Sequence, residues 1–263
     1  MKRIDLIKVE HNVQIGDKCG SLEPNITEDS IFYENGIPIG FYIKQLPPKA
    51  LKLACLADQE FRSKNVPKSM MNRSSAVSAL VKGEIKNMSE DVQQFSTIIG
   101  SCAPKPHMRR PYPSISSVHQ VKSAQIFIKA MWMLALEAEE IMKEIVPNVY
   151  EQQVKLFQDV PKEWRFGNLF TSSISNFNIP APFHRDAANI QGAVNVIVTK
   201  RSNARGGNLH VPDYNVTMDS CDNSMLVYPA WKNVHGVTPI VPTHEGGYRN
   251  SLIFYPLRAF KGL

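Results

Sequence analysis

The sequence predicts an α+β fold with a barrel or jelly roll in its second half and helices of the first half packed outside it. Short β-rich runs lie between residues 164 and 257, separated by turns rich in Gly, Pro, Asn and Asp. Closely spaced short strands of this kind are typical of barrels and jelly rolls. Residues 117–146 are so frequently apolar that one broad face of a helix there must be buried.

Residues 1–120 are interpreted as a mixed helix and strand elaboration of one domain that spans residues 1–263. Residues 1–45 are predicted to form short strands and turns. Residues 46–64 begin with prolines and continue with apolar residues at the spacing of a helix, which is predicted there. Residues 103–113 contain four prolines and are predicted to form an extended loop, because proline is excluded from helix and sheet interiors. Residues 121–163 are predicted to be supporting helices.

Residues 164–263 are predicted to form the barrel or jelly-roll core and to carry the functional site. The turn residues divide this region into strands near 165–170, 173–179, 191–199, 207–211, 224–228, 234–240 and 249–256.

Composition limits the class of protein. No apolar run approaches the roughly 18–20 residues that a membrane span needs, and the first residues lack the apolar core of a secretory signal. The four cysteines are scattered, which argues against a disulfide framework or a zinc ribbon. We therefore expect a soluble intracellular protein that is not secreted. The net charge of +6 is compatible with a nucleic-acid partner.

Two residues in the segment PFHRDAAN point to a metal site. His184 and Asp186 are two positions apart, so an extended strand presents both side chains on one face. His235 is the next histidine in a strand-like setting that ends in a turn. Two imidazoles and one carboxylate form the facial triad that holds non-haem Fe(II) and leaves positions open for substrates.

A carboxylate-binding pair follows the proposed metal ligands. Arg249 lies 14 residues past His235, and Ser251 shares its strand face. A fixed guanidinium matches a carboxylate as a two-pronged fork, and a hydroxyl adds a donor, which is what the distal carboxylate of 2-oxoglutarate requires. Zinc could occupy the same triad, but the attached carboxylate clamp favours iron. The structural alternative is a set of core histidines with Arg249 in a salt bridge.

Residues 130–257 resemble the TET/JBP family of 2-oxoglutarate- and Fe(II)-dependent dioxygenases, which oxidise the methyl group of 5-methylcytosine or thymine in nucleic acid. The resemblance rests on HRDAAN at 184–189, IVPNVYEQQV at 145–154, GGNLHV at 206–211 and RNSLIFY at 249–255. A shorter similarity covers EFRSKNVPK at 60–68. The resemblance implies one catalytic domain with a double-stranded β-helix core, the cupin-like jelly roll, and Fe(II), 2-oxoglutarate and O2 as cofactors.

The resemblance also implies roles for individual residues. Iron would be held by His184, Asp186 and His235, and 2-oxoglutarate by Arg249 and Ser251, with His210 and Arg62 as further contacts. Asn189 would hydrogen-bond a flipped base, and Tyr255 would lie against its ring. Independently of the resemblance, Arg109 and Arg110 could contact DNA phosphates, because a proline-held loop presents them at little entropic cost.

The implied activity is hydroxylation of 5-methylcytosine in DNA to 5-hydroxymethylcytosine, and further oxidation stays open, with the base flipped out of the duplex. Two departures keep alternatives open. Leu257 stands where TET enzymes have a histidine that helps read cytosine, and the cysteine-rich region of animal TET proteins is missing. The alternatives are a JBP-type thymine hydroxylase that makes 5-hydroxymethyluracil, an oxygenase for another nucleic-acid or small substrate, and a non-enzymatic module that binds modified DNA.

Overall fold

Three helices support the fold in the computed structural model, which describes residues 1–70 and 94–263. They are α1 (Pro48–Arg62), α2 (Gln125–Ile145) and α3 (Pro147–Leu156). Proline stands in the first turn of α1 and α3, where its missing N–H costs nothing. Both long helices were predicted, although the second begins at Gln125 after two 3-10 turns, Ser117–Gln120 and Lys122–Ala124.

The strands of the described residues form one large sheet and two smaller ones. They are β1 (Lys2–Asp5), β2 (Ser30–Glu34), β3 (Ile37–Ile43), β4 (Ser69–Met70), β5 (Phe95–Cys102), β6 (Ser114–Ile115), β7 (Ser172–Phe177), β8 (Ala181–His184), β9 (Asn195–Ser202), β10 (Ala204–Gly206), β11 (Leu209–Val211), β12 (Val216–Met218), β13 (Met225–Tyr228), β14 (His235–Val237), β15 (Ile240–Pro242) and β16 (Tyr248–Tyr255).

The fold is mixed α+β with a large sheet, as predicted. The ten-stranded sheet has the order β1-β2-β3-β13-β9-β16-β7-β5-β4, with β6 paired to β5. A four-stranded sheet has the order β12-β11-β14-β8, and β10 pairs with β15. The strands from β7 onward are thus divided between two main sheets, which is consistent with the predicted jelly roll.

Strand β16 shows how the large sheet separates the core from the functional site. Leu252 and Phe254 are buried in the cluster that includes the apolar faces of α1 and α2. Arg249, Ser251 and Tyr255 alternate with them and line a cavity on the other face. Because successive side chains of a strand point to opposite faces, one strand contributes both to the helix-covered core and to the cavity.

Several predicted strand boundaries were wrong. Residues 165–170 do not form a strand; they hold only an isolated bridge between Phe166 and Phe170, and Gly167 has a φ of 71° that bends the chain. The strand predicted at 191–199 begins at Asn195. The predicted extended loop at 103–113 contains a 3-10 turn, Pro106–Met108, whose proline stands in the first turn, where it is tolerated.

Strand β8 was not predicted, although it carries the first candidate ligand. It contains Pro182, which lowers the expectation of a strand. The structure places β8 at the edge of the four-stranded sheet, where a missing backbone donor is tolerated.

Residues 6–28 run across the four-stranded sheet and are held to it by backbone hydrogen bonds. Gly16 N–H donates to the Phe183 carbonyl over 2.8 Å, and Phe183 N–H donates to the Asp17 carbonyl over 2.8 Å. Cys19 is buried against Phe183 and Val234. Within the two described ranges, no helix is long and apolar enough to cross a membrane.

Candidate metal centre and its cavity

Strand pairing brings the three candidate metal ligands together. His184 ends β8 and lies opposite His235, the first residue of β14, in an antiparallel pair. Asp186 follows two residues after His184, in the loop that leaves β8. Ligand atoms of the three side chains all lie within 4.8 Å of one another, and Nε2 of His184 is 3.6 Å from Oδ1 of Asp186. The sequence prediction of this cluster is therefore matched by its geometry.

Hydrogen bonds leave the Nε2 atoms of both histidines free to bind a metal. Nδ1 of His184 is 2.8 Å from the Pro182 carbonyl, and Nδ1 of His235 is 3.0 Å from the Asn233 carbonyl. A carbonyl oxygen only accepts, so each Nδ1 carries a proton, and in the neutral ring the lone pair is then on Nε2. Burial, helped by neighbouring His184, lowers the pKa of His235 and favours its neutral form. Two neutral imidazoles and a carboxylate suit a ferrous ion.

A cavity of about 460 Å³ joins this cluster to most of the other predicted site residues. Its lining includes His184, Asp186, Asn189, His235, Arg249, Ser251 and Tyr255. Arg249 is on β16, which lies between β9 and β7 in the large sheet. Arg249 and the metal cluster line the same cavity, so one ligand can contact both.

Arg249 is buried without an acidic partner among the described residues. It is 3% exposed; Nη1 lies 3.2 Å from the Ser251 hydroxyl and Nη2 lies 3.5 Å from the Ser220 hydroxyl. Its Nε has no hydrogen-bond partner. Burial, together with nearby Arg201, lowers the pKa of Arg249 to about 10. A buried guanidinium with an unused donor is costly unless an anion binds it, so this site fits a carboxylate such as that of 2-oxoglutarate.

Gly207 leaves room for the side chain of Arg249, a role that was not predicted from the sequence. A Cβ at residue 207 would lie 3.0 Å from Cδ and 3.1 Å from Nε of Arg249, at a φ of 72°. Both the close approach and the left-handed backbone favour glycine at this position.

His210 does not reach the cavity, contrary to its predicted contact with 2-oxoglutarate. Its neighbour Leu209 lines the cavity, so the alternation along β11 turns His210 to the other face. There its Nδ1 lies 2.8 Å from the Thr217 hydroxyl, and its ring packs edge-on against Phe183. Burial lowers the pKa of His210.

Arg62 also lies away from the cavity, contrary to its predicted contact with 2-oxoglutarate. Its Nε donates to Asp58 over 3.0 Å, and its guanidinium lies 4.7 Å from the centre of the Tyr248 ring. Tyr248 hydrogen-bonds Asp58 of α1, so it lies on the helix-covered face of β16, opposite to the face that Arg249 occupies. The short sequence similarity around residue 62 could not show that Arg62 lies on the helix-covered side of β16 rather than at the cavity.

Asn189 and Tyr255 are both at the cavity, as expected from the resemblance. Asn189 is 4% exposed, and its Nδ2 donates to Oδ1 of Asn195 over 2.7 Å. Asn195 in turn donates to Oδ2 of Asp186 over 2.8 Å. Asn195 was missed in the sequence, although a lone amide in the apolar run GAVNVIV is a signal for a buried polar role. Leu257 forms a backbone bridge with Asn189 and also lines the cavity.

Two exposed arginines that were not predicted lie at or beside the mouth of the cavity. Arg185, between the first two candidate ligands, belongs to the lining. The backbone N–H of Arg258 donates to the Ala188 carbonyl over 3.0 Å, and Ala188 is another lining residue. Neither arginine forms a salt bridge within residues 1–70 and 94–263.

The predicted phosphate contacts Arg109 and Arg110 are exposed but are not part of the cavity lining. Their loop leaves the large sheet beside the same end of the cavity, since Ala103 packs against the cluster of Leu257 and Phe260.

Comparison with known proteins connects this cavity to one family of oxygenases. The Tet_JBP family model, described as the oxygenase domain of the 2OGFeDO superfamily, matches residues 103–258, which is more than half of the chain. No curated protein matches the chain in a sequence search.

Solved structures share the fold at low sequence identity. One is NgTET1 in complex with 5mC DNA, with a TM-score of 0.61 and 12% identity, over 95% of this chain and 84% of that chain. Another is a 2OG-Fe(II) oxygenase family protein from Burkholderia pseudomallei, with a TM-score of 0.50 and 12% identity, over 84% of this chain and 86% of that chain.

Proposed function

Because the chain belongs to the TET/JBP family of 2-oxoglutarate- and Fe(II)-dependent oxygenases, we propose that it hydroxylates the methyl group of 5-methylcytosine in DNA. It is a 2-oxoglutarate-dependent dioxygenase with Fe(II), 2-oxoglutarate and O2 as cofactors. The observation that carries the proposal is the cavity shared by the His–Asp–His cluster, the amide of Asn189 and the guanidinium of Arg249, which has no acidic partner among the described residues.

We infer that eight strands form a double-stranded β-helix around this cavity. Strands β7, β16, β9 and β13 are neighbours in the large sheet, and β8, β14, β11 and β12 are neighbours in the four-stranded sheet. Along the chain these strands switch between the two sheets at every step except from β11 to β12, and two facing four-stranded sheets connected in this way are the arrangement of a jelly roll.

The residues of this chain would bind and orient the cofactors. Fe(II) would be held by Nε2 of His184, Nε2 of His235 and the carboxylate of Asp186, and 2-oxoglutarate by Arg249 and Ser251. When bound, iron, 2-oxoglutarate and O2 supply the oxidant for a methyl C–H bond, and 2-oxoglutarate becomes succinate and CO2. Arg249 would fix the cosubstrate at one end, because its buried donors are available only to an anion inside the cavity.

The proposed substrate is a base in DNA that has been flipped out of the helix. A methyl group within a base stack cannot reach a recessed metal cluster, so the nucleotide must enter the cavity. Exposed Arg185 and Arg258 beside the mouth are suited to hold phosphates on either side of that nucleotide, and Arg109 and Arg110 could extend the contact. The presence of 5mC DNA in the complex of NgTET1, a protein of the same fold, supports this choice of substrate.

Within the cavity, Asn189 and Tyr255 are proposed to hold the base. The Asn189 amide would hydrogen-bond its polar edge, and Tyr255 would lie against its ring from the inner face of β16. Both residues line the cavity together with Asp186, so a base that contacts them lies beside the metal cluster.

Thymine hydroxylation is the second candidate. It is favoured by Leu257, which provides no hydrogen-bonding group at the position where TET enzymes have a histidine. An oxygenase for another nucleic-acid or small substrate would share the same metal and cosubstrate residues. A module that only binds modified DNA is disfavoured. Burying the Arg249 guanidinium without an acidic partner among the described residues is costly, and DNA binding alone does not require it.

A substrate panel separates these candidates. Duplex DNA with 5-methylcytosine, duplex DNA with thymine as its only methylated base, methylated RNA and free 5-methylcytidine are each incubated with Fe(II), 2-oxoglutarate and air. Oxidised nucleosides and succinate are then measured by mass spectrometry. The proposal expects 5-hydroxymethylcytosine and matching succinate from methylated DNA. Oxidation of the free nucleoside or RNA in preference to DNA would contradict it.

A further inference from the structure

Two hydrogen bonds connect a metal-site carboxylate to the residue that faces the base. Asn195 Nδ2 donates to Oδ2 of Asp186 over 2.8 Å, and Asn189 Nδ2 donates to Oδ1 of Asn195 over 2.7 Å. Both asparagines are 4% exposed. Both asparagines also line the cavity, so these two hydrogen bonds lie in its wall.

The carboxylate determines the direction of both amides. An ionised carboxylate only accepts hydrogen bonds, so Asn195 must turn its NH2 group toward Asp186. Its carbonyl oxygen then faces Asn189 and can only accept, so Asn189 must donate from its own NH2 group.

The carbonyl oxygen of Asn189 accepts no hydrogen bond from the residues that the structure describes, whereas its Nδ2 is used by Asn195. Asn189 also lines the cavity. The neighbouring Leu257 forms a backbone bridge with Asn189, and its side chain has no polar atom that could donate to Asn189 Oδ1. The site thus presents a fixed acceptor near the metal cluster.

We propose that Asn195 is a positioning residue that locks Asn189 with its carbonyl oxygen toward the substrate, and that this acceptor selects 5-methylcytosine over thymine. The inference rests on the proposed function. In this proposal the methyl-bearing carbon faces the metal cluster and the neighbouring substituent on C4 is placed against the Asn189 amide, which is linked to Asp186 through Asn195. That substituent is an amino donor in cytosine and a carbonyl acceptor in thymine. A fixed acceptor pairs with the first and repels the second.

The same contact gives Asn195 a role at the metal. Oδ2 of Asp186 is held by Asn195, whereas Oδ1 is the oxygen that lies 3.6 Å from Nε2 of His184. Asn195 therefore fixes which carboxylate oxygen is presented to the metal cluster. Outer residues of this kind typically change metal affinity by roughly 10- to 100-fold when they are removed.

A competition experiment tests the inference. Two duplexes differ only at the target base pair, which contains 5-methylcytosine in one and thymine in the other, and neither contains further thymine. They are mixed in one reaction, and both oxidised nucleosides are measured. We expect the wild type to prefer 5-methylcytosine by at least about tenfold, and Asn195→Ala to reduce this ratio by about tenfold. The ratio does not depend on the fraction of folded protein.

Anaerobic calorimetric titration with Fe(II) gives a readout that is independent of turnover. Asn195→Ala should weaken Fe(II) binding by about tenfold. Asn250→Ala is the matched control, since Asn250 is a buried amide on the helix-covered face of β16 that donates to Asp58 over 2.9 Å. It should leave both the base ratio and the Fe(II) affinity unchanged.

The outcomes separate the inference from the proposed function. If the wild type oxidises 5-methylcytosine but Asn195→Ala keeps the wild-type ratio, the inference is overturned and the function stands. A wild-type preference for thymine overturns the inference as well. If neither duplex yields an oxidised base, the proposed function is contradicted and the inference fails with it.

Discussion

The proposed cosubstrate contact that matters most is Arg249, whose buried guanidinium has no acidic partner among the described residues. Replacing it with Gln removes the charge and most of the donors. Loss of a hydrogen-bonded charge pair of this kind costs about 1.5–3 kcal/mol, so the KM for 2-oxoglutarate should rise by roughly 10- to 100-fold. Arg249→Lys should recover part of this loss, because it keeps the charge but not the fork. Steady-state succinate assays over a range of 2-oxoglutarate concentrations measure both variants; an unchanged KM in Arg249→Gln would refute the assignment.

The mouth arginines are predicted to contact DNA phosphates. Arg185→Gln and Arg258→Gln should each raise the Kd for methylated duplex and reduce the slope of log Kd against log salt concentration by about one. The KM for 2-oxoglutarate should not change, because both side chains are exposed, whereas the proposed cosubstrate contact Arg249 is buried. Fluorescence anisotropy at several salt concentrations measures the slope. Arg205→Gln, an exposed arginine outside the cavity lining, is the control. Equal slopes in all three variants would exclude the contact.

Single residues show what sequence spacing can and cannot predict. His184, Asp186 and His235 were predictable because their side-chain chemistry points to one kind of site. His210 and Arg62 were not: His210 is turned to the face of β11 away from the cavity, and Arg62 is in α1, which packs over the opposite face of the large sheet. Such placements depend on strand register that a single sequence does not reveal. Asn195 and Gly207 act through neighbours that are distant in sequence, Asp186 and Arg249.

At the scale of elements, Asp58 ties α1 to the large sheet. Its carboxylate is 2% exposed and accepts from Arg62, from the Tyr248 hydroxyl and from Asn250. This arrangement explains why α1 packs over β16 with a polar side chain at its buried face. It also accounts for Arg62, which supports the helix rather than the cosubstrate.

Asp58→Ala is predicted to lower the free energy of unfolding by about 3 kcal/mol, because it leaves buried donors of Tyr248 and Asn250 without an acceptor. Arg62→Gln should cost only about 0.5–1 kcal/mol, since the Arg62 side chain is 42% exposed. Urea unfolding followed by circular dichroism measures both. Neither variant should change the KM for 2-oxoglutarate, and a raised KM in Arg62→Gln would restore it as a cosubstrate contact.

The two longest helices were easier to predict than the shortest strands. The helices α1 and α2 contain enough residues for their apolar spacing to be recognised. Strands β8, β12 and β15 have three or four residues and were missed, because so short a run contains little periodicity. Their pairing depends on contacts far along the chain, such as His235 opposite His184.

At the scale of the whole molecule, ligand binding should stabilise the fold, because the cavity wall is built from both main sheets. Mn(II) with 2-oxoglutarate, each at about 100 times its Kd, should raise the Tm by roughly 5–10 °C. Differential scanning calorimetry measures the shift, and excess EDTA should abolish it. His235→Ala is the control, and an equal shift in that variant would place metal binding elsewhere.

The central claim is that the His–Asp–His cluster oxidises the methyl group of 5-methylcytosine in DNA. The most direct measurement is mass spectrometry of nucleosides from methylated duplex after incubation with Fe(II) and 2-oxoglutarate, for the wild type and for Asp186→Ala. We predict 5-hydroxymethylcytosine with the wild type only when 2-oxoglutarate is present, and none with Asp186→Ala. Unaltered 5-methylcytosine with the wild type, or equal product with Asp186→Ala, would contradict the claim.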